Sequence, residues 1–264
     1  MVEQRNFFKK LIHPLYIIAA YLFLYIPIVV MVLFSFNDSD VSMAWKGFSW
    51  RWYKEVFYSP QILSALKVSL IVAAISTLIS VTLGTLLVMA SHWWHPFFLF
   101  RAFYSNVLLP DIVLSIGLMS MFAFLRLPLG YLSLITGHTL LGLGFVIPIL
   151  RARFSEFDPI LIEASLDLGG NYFQTCRRII LPLLTPALIA ASLLVFTLSL
   201  DDFMISFFCS GAEIQTLSVY VYYNVKTLVH PSINAVSACL LAVSSFVVFL
   251  LCYFKVVDKA FFHD

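Results

Sequence analysis

Residues 163–182 read EASLDLGGNYFQTCRRIILP, a polar island between two apolar runs. Just upstream, Asp158-Pro159 marks a helix start: Asp caps free amides and Pro is tolerated at the first helical position. Gly169-Gly170 marks the stop, because Gly enters the left-handed conformation without a Cβ penalty. Asn171 followed by Gln174 has the spacing of a capping box, which opens a second short helix running toward Pro182. The island is therefore expected to be a helix-turn-helix. On its first helix Glu163 and Asp167 share a face, where like charges repel unless a base approaches. Arg177 and Arg178 of the same loop supply that base on one reading, and a partner protein on another. Leu161, Ala164 and Leu168 form an apolar stripe that packs on the flanking segments or on another protein, and spacing alone leaves both open.

The surroundings decide the class. Of 264 residues, 61% are hydrophobic and 11% charged, against about 25% charged in soluble domains. Stretches near 14–36, 62–91, 102–125, 130–150, 183–207 and 233–254 are long and apolar enough to cross a bilayer core of about 30 Å. Backbone groups in lipid must be satisfied within their own segment, so these read as helices. The expectation is an all-α, polytopic membrane protein with six transmembrane helices, one membrane domain over 1–264. Pro27, Pro110, Pro148 and Pro186 inside these stretches fit helices packed against neighbours. The first run follows Arg5, Lys9 and Lys10 and has no small-residue cleavage site after it, so it reads as an uncleaved span. A net charge of +2 without basic runs argues against nucleic acid. Cys176, Cys209, Cys239 and Cys252 lack metal-ligand spacing and read as packing residues.

Basic residues orient the chain. With the N-terminus inside, Arg5, Lys9, Lys10, Arg101, Arg151, Arg153, Arg177, Arg178, Lys255 and Lys259 are internal, and Lys46, Arg51, Lys54, Lys67, Arg126 and Lys226 external. That bias places both termini in the cytoplasm and the 163–182 island with them. The external segment 37–61 alternates Trp45, Phe48, Trp50, Trp52, Tyr53 and Phe57 with cations. It is an interfacial aromatic belt against membrane lipid or a lip that touches substrate. The second external segment, 208–232, reads as a scoop or a cap.

The island resembles the cytoplasmic loop of permease subunits of type I ABC importers (MetI-like), written E-A-A-x3-G-x9-I-x-L-P. Glu163, Ala164, Gly169, Ile179, Leu181 and Pro182 match at the family spacing, and Ser165 is the one departure. Further stretches, YIPIVVMVLFSFN, WKGFSWRWY, LLPDIVLSIGL and FTLSLDDFMISFF, are similar to the second permease subunit of spermidine/putrescine importers. The resemblance implies a core permease region over 62–254 with a coupling loop at 151–182. In that loop Glu163, Ala164, Asp167, Gly169, Ile179, Leu181 and Pro182 would meet the ATPase. It also implies a bacterial inner (plasma) membrane, an ABC ATPase dimer, a second homologous permease and a periplasmic or lipid-anchored substrate-binding protein. The alternative within the class is an importer for another cation or a small organic solute.

The chain has no G-x-x-x-x-G-K-[ST] loop, so ATP is bound and hydrolysed by a partner subunit, and no cofactor or catalytic residue is expected here. G-x-S-x-G and H-E-x-x-H are absent and the six histidines are dispersed. An intramembrane aspartyl protease built on Asp111 and Asp201 is the rival class, but the motifs expected around such a pair are missing. Carboxylates within spans are expensive and face a bundle interior or a wet cavity. Asp111 lies about 14 Å into the third stretch at ~1.5 Å per residue. Asp201 and Asp202 lie toward the outer end of the fifth. There a helical wheel puts Asp202 near the edge of a Thr185, Ser192 and Ser199 stripe and turns Asp201 away, unless the helix breaks at that point. These acids either cap helix ends or line a cation pathway, with Trp52 offering an aromatic face at its outer mouth.

Overall fold

The structure, a computed structural model, describes residues 2–39, 44–91, 97–227 and 231–253. Lys255 and Lys259 of the charge count lie outside the described residues, as do residues 40–43 of the segment 37–61 expected outside. In chain order the helices are α1 (Val2–Phe34), α2 (Arg51–Tyr58), α3 (Pro60–Ala90), α4 (Phe97–Leu108), α5 (Asp111–Phe124) and α6 (Tyr131–Ser155). They continue as α7 (Ile160–Asp167), α8 (Tyr172–Thr175), α9 (Leu181–Asp201), α10 (Met204–Cys209), α11 (Leu217–Thr227) and α12 (Ser232–Tyr253). Among the described residues the extended pairing is an isolated bridge between Asn37 and Phe48. The all-α class follows from the need to satisfy every amide inside lipid.

Four helical stretches are long and apolar enough to span: Tyr16–Phe34, Pro60–Ala90, Tyr131–Ser155 and Tyr172–Asp201. A fifth arises if the bent pair Phe100–Leu108 and Asp111–Phe124 is one crossing, and Ser232–Phe246 is a shorter apolar helix where the sixth was expected. The bent pair corrects the expectation of a straight third span over 102–125, because α4 and α5 meet at 118°. Pro110 has no amide to donate and sits extended at ψ 135°, and a proline pushes the preceding residue away from helical geometry. Asp111 therefore opens a new helix instead of lying midway along one. The fifth expected span also ends early, since Asp202 turns extended at ψ 128° after α9.

The described chain forms two compact units, one of residues up to Pro60 with Tyr223–Val243, the other of Gln61–Tyr222 with residues from Ser244 on. In the second unit α6 packs along α9, α4 packs on α6, and α10 packs on α5 and α6. Leu143, Val146, Ile147 and Leu150 of α6 meet Ala187, Ala191 and Val195 of α9 and Val88 of α3 in one buried cluster. Lipid is as apolar as leucine, so close backbone approach, not exclusion from water, holds such helices together. Gly142 is where that approach is tightest. A methyl group there would lie 2.5 Å from Ser80 Oγ and 2.8 Å from Val195 Cγ1.

In the first unit Asn37 folds the segment that follows α1 around itself. Its side-chain Nδ2 donates to the Ala44 carbonyl at 2.7 Å and its Oδ1 accepts the Lys46 amide at 2.9 Å. Phe36 stacks on Phe48 and meets Trp50 and Tyr53 edge-on or tilted. Aromatic pairs of this kind prefer offset and edge geometries.

Candidate functional site

The loop between α6 and α9 is built by its own caps. Asp158 Oδ1 accepts the Ile160 amide at 3.0 Å and starts α7. At its end Gly169 takes φ +84°. The Gly170 amide reaches back to the Ser165 carbonyl at 3.0 Å and the Gly169 amide to Leu166 at 2.9 Å. That pairing is a Schellman stop, which satisfies carbonyls a helix end would leave orphaned. Asn171 and Gln174 exchange two bonds, 2.9 and 3.1 Å, as the capping box predicts.

The second short helix does not stop at Pro182. It runs into α9 through one π turn, Cys176–Ile180, where the Leu181 amide donates to the Cys176 carbonyl. Pro182 has no amide to give, and the ladder slips by one residue just ahead of it.

One side of the loop is anchored. Ile162 is buried against Met89, Ile180 and Leu184, with Leu166, Phe154 and Phe157 alongside. The other side is open. Leu161 is 45% exposed and Leu168 89%, and with Ala164, Gly169, Gly170, Gln174, Arg178 and Ile179 they line a cleft of about 550 Å³. The stripe that spacing left undecided thus faces outward, while the neighbouring Ile162 makes the contact with the spans. Glu163, Asp167, Gly169 and Pro182 are exposed, and Ile179 and Leu181 half-buried. Among the described residues no cation lies within ion-pair distance of Glu163 or Asp167, so Arg177 and Arg178 do not neutralise them.

The three acids expected within or at the ends of spans sit at helix breaks. Asp111 is exposed in the first turn of α5, where a helix dipole favours negative charge. Asp201, the last residue of α9, is exposed. Asp202 turns inward, its side chain only 7% exposed. Its Oδ2 accepts the Ser206 amide at 2.9 Å and its carbonyl accepts the Ser218 hydroxyl at 2.7 Å. Asp202 therefore caps α10 while lying in the interior. Among the described residues no Lys or Arg lies within ion-pair distance of Asp111, Asp201 or Asp202.

A histidine that sequence spacing passed over lies beside Asp202. His138 of α6 is 1% exposed, with Nδ1 2.9 Å from Ser199 Oγ, Nε2 3.3 Å from Ser206 Oγ, and Nε2 3.7 Å from Asp202 Oδ2. Ser76 of α3 adds its hydroxyl 3.4 Å from Ser199 Oγ. The only hint in the sequence was that His138 falls inside an apolar run, where an ionisable side chain marks a functional position.

Trp52 departs from its expected place at an outer mouth. It is wholly buried, its indole N–H donates to the Asn37 carbonyl at 2.6 Å, and the Arg51 guanidinium lies 4.6 Å from its ring centre. The ring is drawn in because Asn37 offers an acceptor that an indole can satisfy inside the fold. The open aromatic surface is instead a cleft of about 620 Å³ lined by Trp50, Tyr53, Lys54, Phe57 and Tyr58.

No family model matches the chain. It is similar to the spermidine/putrescine transport system permease protein PotC of Escherichia coli strain K12, 35% identical over 240 residues that cover 89% of this chain and 90% of the relative. The putrescine transport system permease protein PotI of the same strain is 31% identical over 250 residues, covering 90% and 88%. Among solved structures, a bacterial ABC transporter involved in the import of the acidic polysaccharide alginate contains a chain that superposes with a TM-score of 0.70 over 98% of both chains at 15% identity. That last likeness speaks to the fold alone, and it is the fold of an ABC importer permease. With 35% and 31% identity and coverage near nine-tenths in both directions, the chain belongs to the transport-system permease family that contains PotC and PotI.

Proposed function

We propose that this chain is the transmembrane permease subunit of a bacterial ABC importer for polyamines, spermidine or putrescine. The carrying observation is chemical. Asp202 is buried in the bundle, and no described Lys or Arg pairs with it or with Asp111. Uncompensated carboxylates at membrane depth attract a flexible polycation and repel oxyanions. The names of PotC and PotI point to the same substrate class.

In this reading Asp111, Asp202 and the exposed Asp201 line the pathway. Residues 1–264 form one membrane domain, whose core spans 62–254. The loop 151–182 takes its open stripe and the acids Glu163 and Asp167 to an ATPase subunit, two copies of which hydrolyse ATP on the cytoplasmic side. A second homologous permease completes the pathway, and a periplasmic or lipid-anchored binding protein delivers substrate. The chain sits in the inner (plasma) membrane with both termini cytoplasmic, and itself catalyses no reaction. Closure of the ATPases draws the coupling loops together and rocks the spans around the acids, which gives alternating access.

The test is uptake of radiolabelled putrescine and spermidine in cells stripped of other polyamine carriers, with the chain expressed beside its ATPase, second permease and binding protein. Saturable, ATP-dependent uptake supports the reading. Uptake of neither polyamine, with all subunits present in the membrane, refutes it.

A further inference from the structure

His138 bridges the break in the fifth span. Ser199 lies in the last turn of α9 and Ser206 in the first turn of α10, and the buried imidazole touches both hydroxyls, at 2.9 Å through Nδ1 and 3.3 Å through Nε2. Its 3.7 Å separation from Asp202 Oδ2 is too long for a direct hydrogen bond. Ser206 closes that gap, because its amide donates to Asp202 Oδ2 at 2.9 Å while its hydroxyl lies 3.3 Å from Nε2.

Counting protons gives the chain a direction. An ionised carboxylate only accepts, so the imidazole proton belongs on Nε2, the nitrogen 3.7 Å from Asp202 Oδ2. The Ser206 oxygen, 3.3 Å away, then accepts from Nε2–H of a neutral imidazole. Nδ1 is left as an acceptor and takes the Ser199 hydroxyl. Ser76 and Ser80 bond onward to α3 carbonyls at 2.6 Å, and Ser80 also reaches the Thr139 carbonyl at 3.0 Å. The assembly ties α3, α6, α9 and α10 around one ring.

We propose that His138 is a positioning residue for cation transport: the relay from Ser199 through His138 and Ser206 holds the Asp202 carboxylate in one orientation at the broken end of the fifth span. The proposal rests on the reading of Asp202 as part of the pathway. A single wrong hydrogen bond in this chain leaves a buried partner unsatisfied, which is why one ring governs the placement of a charge it does not touch.

Three variants of the assembled importer in vesicles separate positioning from packing. H138Q places an amide N–H near the position of Nε2, H138N near that of Nδ1, and H138L provides neither. H138N and H138L should raise KM for radiolabelled putrescine about tenfold, with H138Q recovering most of the affinity. In a D202N background all three should add nothing. Equal losses in H138Q and H138N, or losses that add to that of D202N, overturn the proposal.

A second cycle needs no substrate. The thermal midpoint of the assembled complex is measured for H138L, D202N and the double variant, and coupled residues give non-additive shifts. If the wild type takes up no putrescine yet this cycle is non-additive, the substrate reading fails and the positioning stands. If the wild type transports and the cycle is additive, the positioning fails alone.

Discussion

The Ser165 hydroxyl lies 2.8 Å from Thr175 Oγ1, so the one residue that departs from the E-A-A loop pattern fastens α7 to α8. Thr175 is buried and its oxygen also reaches the Asn171 carbonyl at 3.2 Å. The substitution of serine for alanine is therefore a crosslink between the two short helices.

Ser165→Ala should leave insertion unchanged and weaken the loop by about 0.5–1.5 kcal/mol, the worth of a typical intramolecular hydrogen bond. Limited proteolysis of the purified permease should show faster cleavage between α7 and α8, with little change in uptake.

The two glycines should respond differently. A Cβ on Gly169 meets nothing within 4 Å, but φ is +84°, so Gly169→Ala should cost about 1–2 kcal/mol through left-handed strain alone. At Gly170 a Cβ would lie 2.7 Å from the Ser165 carbonyl oxygen, a backbone atom. Gly170→Val should distort the Schellman stop and abolish substrate-stimulated ATPase activity of the complex while membrane abundance on an immunoblot stays normal. Wild-type coupling in that variant removes the loop's proposed role.

The acids separate by charge removal. Asn caps helices about as well as Asp, so Asp202→Asn should keep α10 folded. If the carboxylate meets the cation, uptake should nonetheless fall at least about tenfold, the effect of roughly 1.4 kcal/mol. Asp111→Asn should behave alike. Wild-type uptake in Asp111→Asn and in Asp201→Asn, Asp202→Asn together would reduce these acids to helix caps.

Trp52→Phe keeps an aromatic face and loses the N–H that serves the Asn37 carbonyl. It should destabilise the external segment by about 1–3 kcal/mol, the penalty for a buried unsatisfied acceptor. Protease sensitivity around Trp50 in spheroplasts measures this. Unchanged sensitivity contradicts the anchoring role.

Orientation is tested by fusion. A reporter active only in the cytoplasm should work after Arg153 and stay silent within residues 44–49. Activity in the external segment would invert the topology and detach the loop from any cytoplasmic ATPase.

The parts legible in the sequence are those whose partners are near in the chain. Asp158 meets Ile160, Asn171 meets Gln174 and Gly170 meets Ser165, so caps, stop and turn could be read from spacing. The helical class followed from composition, since lipid leaves a backbone few alternatives. Asp202 does lie inward and Asp201 outward, but the helix breaks at Asp202, so its bond to the Ser206 amide, not a regular wheel, turns it in.

What only the tertiary structure decided involves distant partners. Pro110 was visible as a residue, but the 118° bend it seats depends on how α5 and α6 pack around α10. Trp52 is buried because Asn37, fifteen positions earlier, offers its carbonyl. His138 meets Ser199 and Ser206 across 61 and 68 positions, and no local period reports such a meeting. Side-chain hydrogen bonds in a membrane bundle are made between segments that the sequence places far apart, so pattern names the helices and packing alone selects which polar groups share an interior.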